Sequence, residues 1–234
     1  MSEDKNEGLF NSTVPVFGSF PNVMEAKAVK KNGKETGEPK FSYNFEFPAD
    51  HPDLKSLKSL ALKLAKAKWP GRDIVREAAL VDANGNKKLS TFNFPWSLGD
   101  SLAEKAKKNG KDREWSRGRL VLTARSKYEP RLSAIVNGQL VEFDGENQPR
   151  ALAKKHFFTG ADVLFQVNLQ AYEGVGDTGA DGVTAYLNMV LATGKGKKVG
   201  GSAPSAADTF KGYIGTVSNE DVAAGLDDDE EVEF

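Results

Sequence analysis

Cysteine is absent from all 234 residues, which removes disulfides, thiol nucleophiles and thiolate metal sites. A chain without crosslinks fits a reducing compartment, and a cytoplasmic location is expected. Histidine is nearly absent too. His51 stands just before Pro52 at a helix start and His156 lies in a basic run. Neither has the spaced partners of a zinc site or a Ser-His-Asp relay. No apolar run approaches the ~18 residues of a membrane span, so no membrane partner is expected. The opening MSEDKNEGLF is polar and acidic, unlike a secretion signal. There is no Walker A sequence to cradle a triphosphate. GVGDTG at 174–179 has the letters of a dinucleotide loop, but a strand follows where a helix should meet the pyrophosphate. As a calcium loop the same stretch fails, with Gly179 in the third position and Asn188 in the twelfth. No catalytic residue, cofactor or metal is expected, and the chain reads as a non-enzyme.

What is present is an ordinary globular composition, 39% hydrophobic and 28% charged. The net charge of −1 hides an asymmetry. From Glu220 onward there are eight acidic residues and no Lys or Arg. Without those eight, 32 Lys and Arg face 25 Asp and Glu, a body of about +7. A basic body with an acidic tail suggests a polyanion partner and an internal competitor for it.

The body reads mainly as strands. FSYNFEF alternates strictly, placing Phe41, Tyr43, Phe45 and Phe47 on one face, read as core. VLFQVNLQA (163–171) and VTAYLNMVLA (183–192) alternate likewise and should form a hairpin around GVGDTGADG. A turn is expected at Asn84-Gly85, and an N-terminal strand should break near Pro21. Two segments look helical. One has Leu54, Leu57, Leu60, Ala61 and Leu64 on one stripe behind an Asp50 cap, and the other is SLGDSLAEKAKKNG. About seven or eight strands with two helical insertions read as a β-barrel. From Gly194 the texture turns to Gly, Ser, Ala and Lys, a linker.

Three places interleave cations with aromatics: KAKWPGR, REWSRGRLVLTARSKYEPR and RALAKKHFF. Single-stranded nucleic acid is bound by this combination, cations tracking phosphates while aromatic faces stack on any base. In the second stretch Leu120, Leu122 and Ala124 should face the core. If the strand register extends to both sides, the opposite face carries Trp115, Arg117, Arg119, Val121, Thr123, Arg125 and Lys127, with Tyr128 and Arg131 flanking Pro130. Lys154 and Lys155 in the third stretch, and Tyr172 and Tyr186 on the polar faces of the late hairpin, complete the candidate contact set. Trp69 and Trp96 are open between core and stacking.

These stretches resemble the OB-fold single-stranded DNA-binding proteins of tailed bacteriophages. The likeness rests on FPNVMEAKA, WSRGRLVLTARSKYEPRLSAI and FFTGADVLFQVNLQAYEGVGDTGADGVTAYLNMVLATGKG. Gly118, Ala124, Ser126 and Pro130 match one family pattern, Phe158-Thr159-Gly160 a second and Gly182-Val183 a third. The resemblance spans roughly residues 14–196 and implies a five-stranded Greek-key OB barrel with helical insertions. The change of texture after Thr193 bounds that domain at 1–193, with a flexible linker over 194–219 and a disordered acidic tail over 220–234. The resemblance also implies sequence-tolerant binding of single-stranded DNA in phage replication, recombination or repair, in the host cytoplasm. The alternative is a structural or assembly protein whose barrel binds protein. In the tail, Asp227, Asp228, Asp229, Glu230, Glu231 and Glu233 can compete with DNA for the basic surface. Phe234 with its carboxylate can anchor replication or recombination proteins.

Overall fold

Strict alternation of apolar and polar residues makes a strand that can bury only one face, and here those faces meet inside a barrel. The computed structural model describes residues 7–31, 34–79, 92–146, 148–174 and 180–199. Within them the strands are β1 (Leu9–Asn11), β2 (Val16–Lys31), β3 (Lys34–Pro48), β4 (Phe92–Asn93), β5 (Trp96–Leu98), β6 (Arg119–Ser126), β7 (Arg131–Val136), β8 (Gln139–Glu142), β9 (Ala161–Tyr172) and β10 (Asp181–Gly196). The helices are α1 (Asp53–Lys68), α2 (Ile74–Glu77) and α3 (Gly99–Lys108), with 3₁₀ turns at Glu114–Ser116 and Arg150–Lys155.

Pairing runs β2 to β3, β3 to β6, β6 to β10, β10 to β9, and β9 back to β2. Each pair is antiparallel except β6 with β10. This is the closed five-stranded Greek-key OB barrel. Inside it Tyr43, Phe45 and Phe47 are fully buried. Phe45 stacks on Phe165 of β9 with ring centroids 3.8 Å apart. Phe41 stays half-buried at the rim, with the Arg150 guanidinium 6.0 Å from its ring centre. The late hairpin forms as expected, Tyr186 opposite Asn168 across β10 and β9.

The barrel departs from regularity in three places. First, the break expected near Pro21 is a bend within β2. Its register shifts between Ser19 and Asn22, and Phe20 takes φ +49°. Second, β6 and β10 meet through one register pair, Arg125 with Tyr186. Where they splay, β4 pairs with β10 and β5 with β6, so the segment from Phe92 to Leu98 fills the wedge. Third, past Tyr186 the partner of β10 becomes β7. While β10 advances from Tyr186 to Met189, the opposing chain advances from Arg125 to Arg131. The surplus residues, with Tyr128 among them, bulge outward. The β7–β8 hairpin is absent from the sequence expectation, although Asn137-Gly138, with φ of +52° and +79°, makes the two-residue turn that favours it.

The late boundary also moves. β10 continues through Gly196, and the Val199 amide donates to the Thr159 carbonyl at 2.9 Å. The barrel therefore extends beyond the Thr193 boundary expected from composition. The turn at Asn84-Gly85, the linker beyond Val199 and the acidic tail lie outside the described residues.

Helix α1 buries Asp53, Leu54, Leu57, Ala61 and Ala65, and it packs on β9 and β10. Asp50 does not cap it. Pro52 occupies the cap without a side-chain bond. Asp53 instead accepts from the Thr13 amide at 2.8 Å, the Thr13 hydroxyl and the Val14 amide at 3.2 Å. Burial raises the Asp53 carboxyl's pKa, but those hydrogen bonds outweigh it and hold the group below its ordinary value. A carboxylate depressed in the folded state gives stability that is present above the unfolded Asp value of about 4. That stability is lost as pH falls through the folded pKa. Thermal melts followed by circular dichroism should therefore show a loss of melting temperature below about pH 4, with Asp53→Asn flattening that part of the profile. Parallel profiles for the two proteins would remove Asp53 from this role.

Candidate nucleic-acid interface

Strand β6 sorts its side chains by parity. Leu122, Ala124 and Ser126 are buried in the barrel, with Leu120 half-buried at its end. The opposite parity faces outward, but one half of that outer face is covered. Helix α3 and the turn at Glu114–Ser116 pack over the start of β6, which leaves Val121 fully buried. The strand begins at Arg119, after Gly118 at φ +69°. Trp115 and Arg117 are therefore not part of the strand face expected from alternation. Trp115 sits in the 3₁₀ turn, and Arg117 follows it.

This covering turn is held by a buried carboxylate. Glu46 points outward from β3 yet is fully buried. It accepts from the Ser19 hydroxyl of β2 at 2.6 Å, the Ser116 hydroxyl at 2.8 Å and Arg113 Nη2 at 3.3 Å. Arg113 Nε also donates to Ser116 at 2.9 Å. Burial pulls the Arg113 guanidinium below its ordinary pKa, and the Glu46 carboxylate opposes that. On the other side Arg117 bonds Glu104 of α3 and Glu114.

The open half of the outer face centres on Arg125 and Tyr186, neighbours across β6 and β10. Two hollows flank them. One, of about 450 Å³, is lined by Ser126, Tyr128, Arg131, Asn168, Gln170 and Tyr186, among others. The other, of about 290 Å³, is lined by Phe94, Trp96, Thr123, Arg125 and Tyr172, among others. Phe94 and Trp96 stack at 4.6 Å with ring planes 4° apart. The carbonyl of Pro95 between them accepts from the Thr123 amide at 2.8 Å, which pins the pair to β6. Tyr128, on the bulge, is 83% exposed.

Of the predicted contact residues, Arg125, Tyr128, Arg131, Tyr172 and Tyr186 thus come together on one surface. Lys127 lies beside them but pairs with Glu38. Arg119 lays its guanidinium 4.7 Å from the centre of the Phe17 ring. Lys154 and Lys155 are exposed on the turn at Arg150–Lys155, which packs on β2 and β7, and they line neither hollow. Arg125 and Arg131 have no acidic partner among the described residues.

In the other two cation-aromatic stretches the arginines are engaged within the fold. Arg72 bonds Glu77 and Asp181 and stands over Trp69 and Phe92. Arg150 donates to the carbonyls of Val23 and Pro130. Phe94, which lines the second hollow, is not among the contact residues expected from the sequence. Its signal is the same-parity row Phe92, Phe94 and Trp96 in FNFPW.

The sequence matches the family model described as Enterobacter phage Enc34, ssDNA-binding protein, over residues 12–223, and the chain belongs to that family. No curated protein matches it. Among solved structures, the single-stranded DNA-binding protein from bacteriophage Enc34 is similar with a TM-score of 0.53 at 17% identity, covering 90% of this chain and 97% of that one. The same protein in complex with ssDNA gives a TM-score of 0.51 at 17% identity, covering 88% and 97%.

Breaking a buried ion pair by removing one partner strands the other charge and typically costs 3–5 kcal/mol. Glu46→Ala should lower unfolding free energy by about that amount in urea titrations. Glu46→Gln, which keeps an acceptor for the serine hydroxyls, should cost less. Equal losses would mean that charge on Glu46 contributes nothing.

Proposed function

We propose that this protein binds single-stranded DNA with little regard for sequence, without catalysis, during phage DNA replication, recombination or repair in the host cytoplasm. The observation that carries this reading is the Arg125–Tyr186 rung, flanked by two aromatic-lined hollows on the open outer face of an OB barrel. OB folds bind oligonucleotides on the side formed by their second and third strands, here β3 and β6. The name of the matched family and a relative solved with ssDNA point the same way. Bases stack on Tyr128, Tyr186 and the edge of the Phe94–Trp96 pair, at ~1–3 kcal/mol per base. Arg125 and Arg131 meet phosphates. The exposed Lys127–Glu38 pair is of the kind that contributes little in water, so Lys127 is available to exchange toward the strand. Lys27 lies directly opposite Lys40 across β2 and β3. Such like-charge pairs are unfavourable until an anion arrives.

Among the described residues no three His, Asp or Glu side chains gather as a metal-binding group, and no helix is long and apolar enough to cross a membrane. The tail completes the proposal. Asp227 to Glu231 and Glu233 compete with DNA for the cationic face, and DNA binding frees the run, with Phe234, for replication or recombination proteins.

Fluorescence anisotropy with labelled oligo-dT and duplex DNA across a salt series tests both parts. Single strands should bind more tightly, with log K falling against log[salt] by ~0.7 per phosphate contacted. Arg125→Ala and Arg131→Ala should each weaken binding and flatten that slope. Arg117→Ala, whose charge is already neutralised by Glu104 and Glu114, should leave the slope unchanged. Lack of single-strand preference would overturn the reading. In the same assay a chain ending at Gly225 should bind more tightly than the full chain at low salt, the difference closing at high salt. Equal affinities throughout would dismiss tail competition.

A further inference from the structure

Phe20 is the most anomalous aromatic on the surface. It sits at the centre of the β2 bend with φ +49°, a conformation that costs a bulky L-residue and that glycine would adopt freely. It gains little burial in return, since it remains 43% exposed. Its ring is nevertheless held in place. The Arg113 guanidinium lies 4.7 Å from its centre and the Trp115 ring 6.2 Å away, tilted by 37°. Arg113 is itself fixed by buried Glu46 and by Ser116. The Phe20 amide donates to the Thr159 hydroxyl at 3.1 Å, which supports the bend from β9's side. A strained, exposed, braced aromatic is a feature that folding alone does not require.

Its position gives it a use. Ser19 pairs with Asn44 and Asn22 with Ser42 across β2 and β3, while Asn44 pairs with Thr123 and Ser42 with Arg125 across β3 and β6. Phe20 therefore lies at the level of Arg125, two strand spacings away, or ~10 Å. Among the described residues, the surface between them carries only short uncharged side chains. Asn22 donates to Ser42 at 3.2 Å and Thr123 to Asn44 at 3.0 Å. Their mutual bonds keep this saddle low, without a side chain to block a strand laid across it.

We propose that Phe20, braced by Arg113 and Trp115, is a base-stacking platform at the far end of the track that begins at Tyr186 and Arg125. This rests on the single-strand reading above. Bases then stack at both ends of the track, while the backbone crosses the saddle of Asn22, Ser42, Asn44 and Thr123.

The test is anisotropy with oligo-dT of graded length on Phe20→Gly, Phe20→Leu, Phe20→Tyr and Arg125→Ala, each with a thermal melt. Phe20→Gly should melt no lower than the wild type, because it relieves the backbone, yet bind long oligonucleotides about tenfold more weakly, the loss of one stacked base. Phe20→Leu should show the same loss of affinity and Phe20→Tyr none. Oligonucleotides too short to span from Tyr186 to Phe20 should not distinguish the variants. Wild-type affinity in Phe20→Gly, or equal affinities for Phe20→Leu and Phe20→Tyr, would overturn the proposal. If Arg125→Ala weakens binding while the Phe20 variants do not, only this inference falls. If the wild type itself ignores single strands, the parent reading falls with it.

Discussion

The stack of Phe45 on Phe165 inside the barrel sets the orientation of everything outside it. The rings come from β3 and β9, strands that are not neighbours, and meet at 3.8 Å across the interior. Strand side chains alternate with a period of two, so seating Phe45 inward forces Asn44 and Glu46 outward. The register then carries that choice across β6 to Thr123 and Arg125, and on to Tyr186 of β10. A one-residue slip of β6 would turn Arg125 into the core and Ala124 onto the surface. The candidate interface is in this sense a consequence of the aromatic core.

Regular alternation alone would have made a smooth, featureless outer wall. Concavity and protruding rings arise where pairing fails. The wedge of Phe92 to Leu98 between diverging β6 and β10 brings the Phe94–Trp96 pair to the outer face. The surplus residues between Arg125 and Arg131 push Tyr128 out. The bend at Phe20 does the same on β2. Each irregularity adjoins Arg125 or lies at its level, and bulges are known to gather at binding sites for this geometric reason.

This division explains what was legible in the sequence. The barrel strands were, because FSYNFEF and VLFQVNLQA carry their facing in a strict period of two. Helix α1 was legible from its apolar stripe, although its start was misassigned to Asp50, since a short polar side chain before Pro52 looks like a cap whether or not it bonds. The irregular places were not legible. Register had to be extrapolated through Gly118 to put Trp115 and Arg117 on the β6 face, and a positive φ there ends the extrapolation. The wedge depends on two strands splaying, which no local pattern encodes. Glu46 reads as a solvent-facing residue in FSYNFEF, because the turn that buries it comes from residues 113–116, far along the chain.

The same limit applies to charge. A body of about +7 suggests a broadly cationic surface, but most of the arginines in the aromatic-rich stretches are already engaged. Arg72 braces Trp69 and Phe92 between Glu77 and Asp181, Arg113 braces Phe20 from Glu46, and Arg150 holds the rim beside Phe41. Their partners fix where each guanidinium sits, and the guanidinium in turn fixes a ring. Such cations cannot also release counterions to a polyanion without giving up that bracing. The interleaving of cations with aromatics thus encodes two different things. Where acids pair with the cations, it builds a rigid frame of oriented rings. Arg125 and Arg131 form no ion pair among the described residues and stand beside the rings of Tyr128 and Tyr186, although Arg131 also borders a hollow lined by Glu129, Glu142, Asp144 and Glu146. What separates the two is the acids across the fold, which residue spacing alone does not reveal.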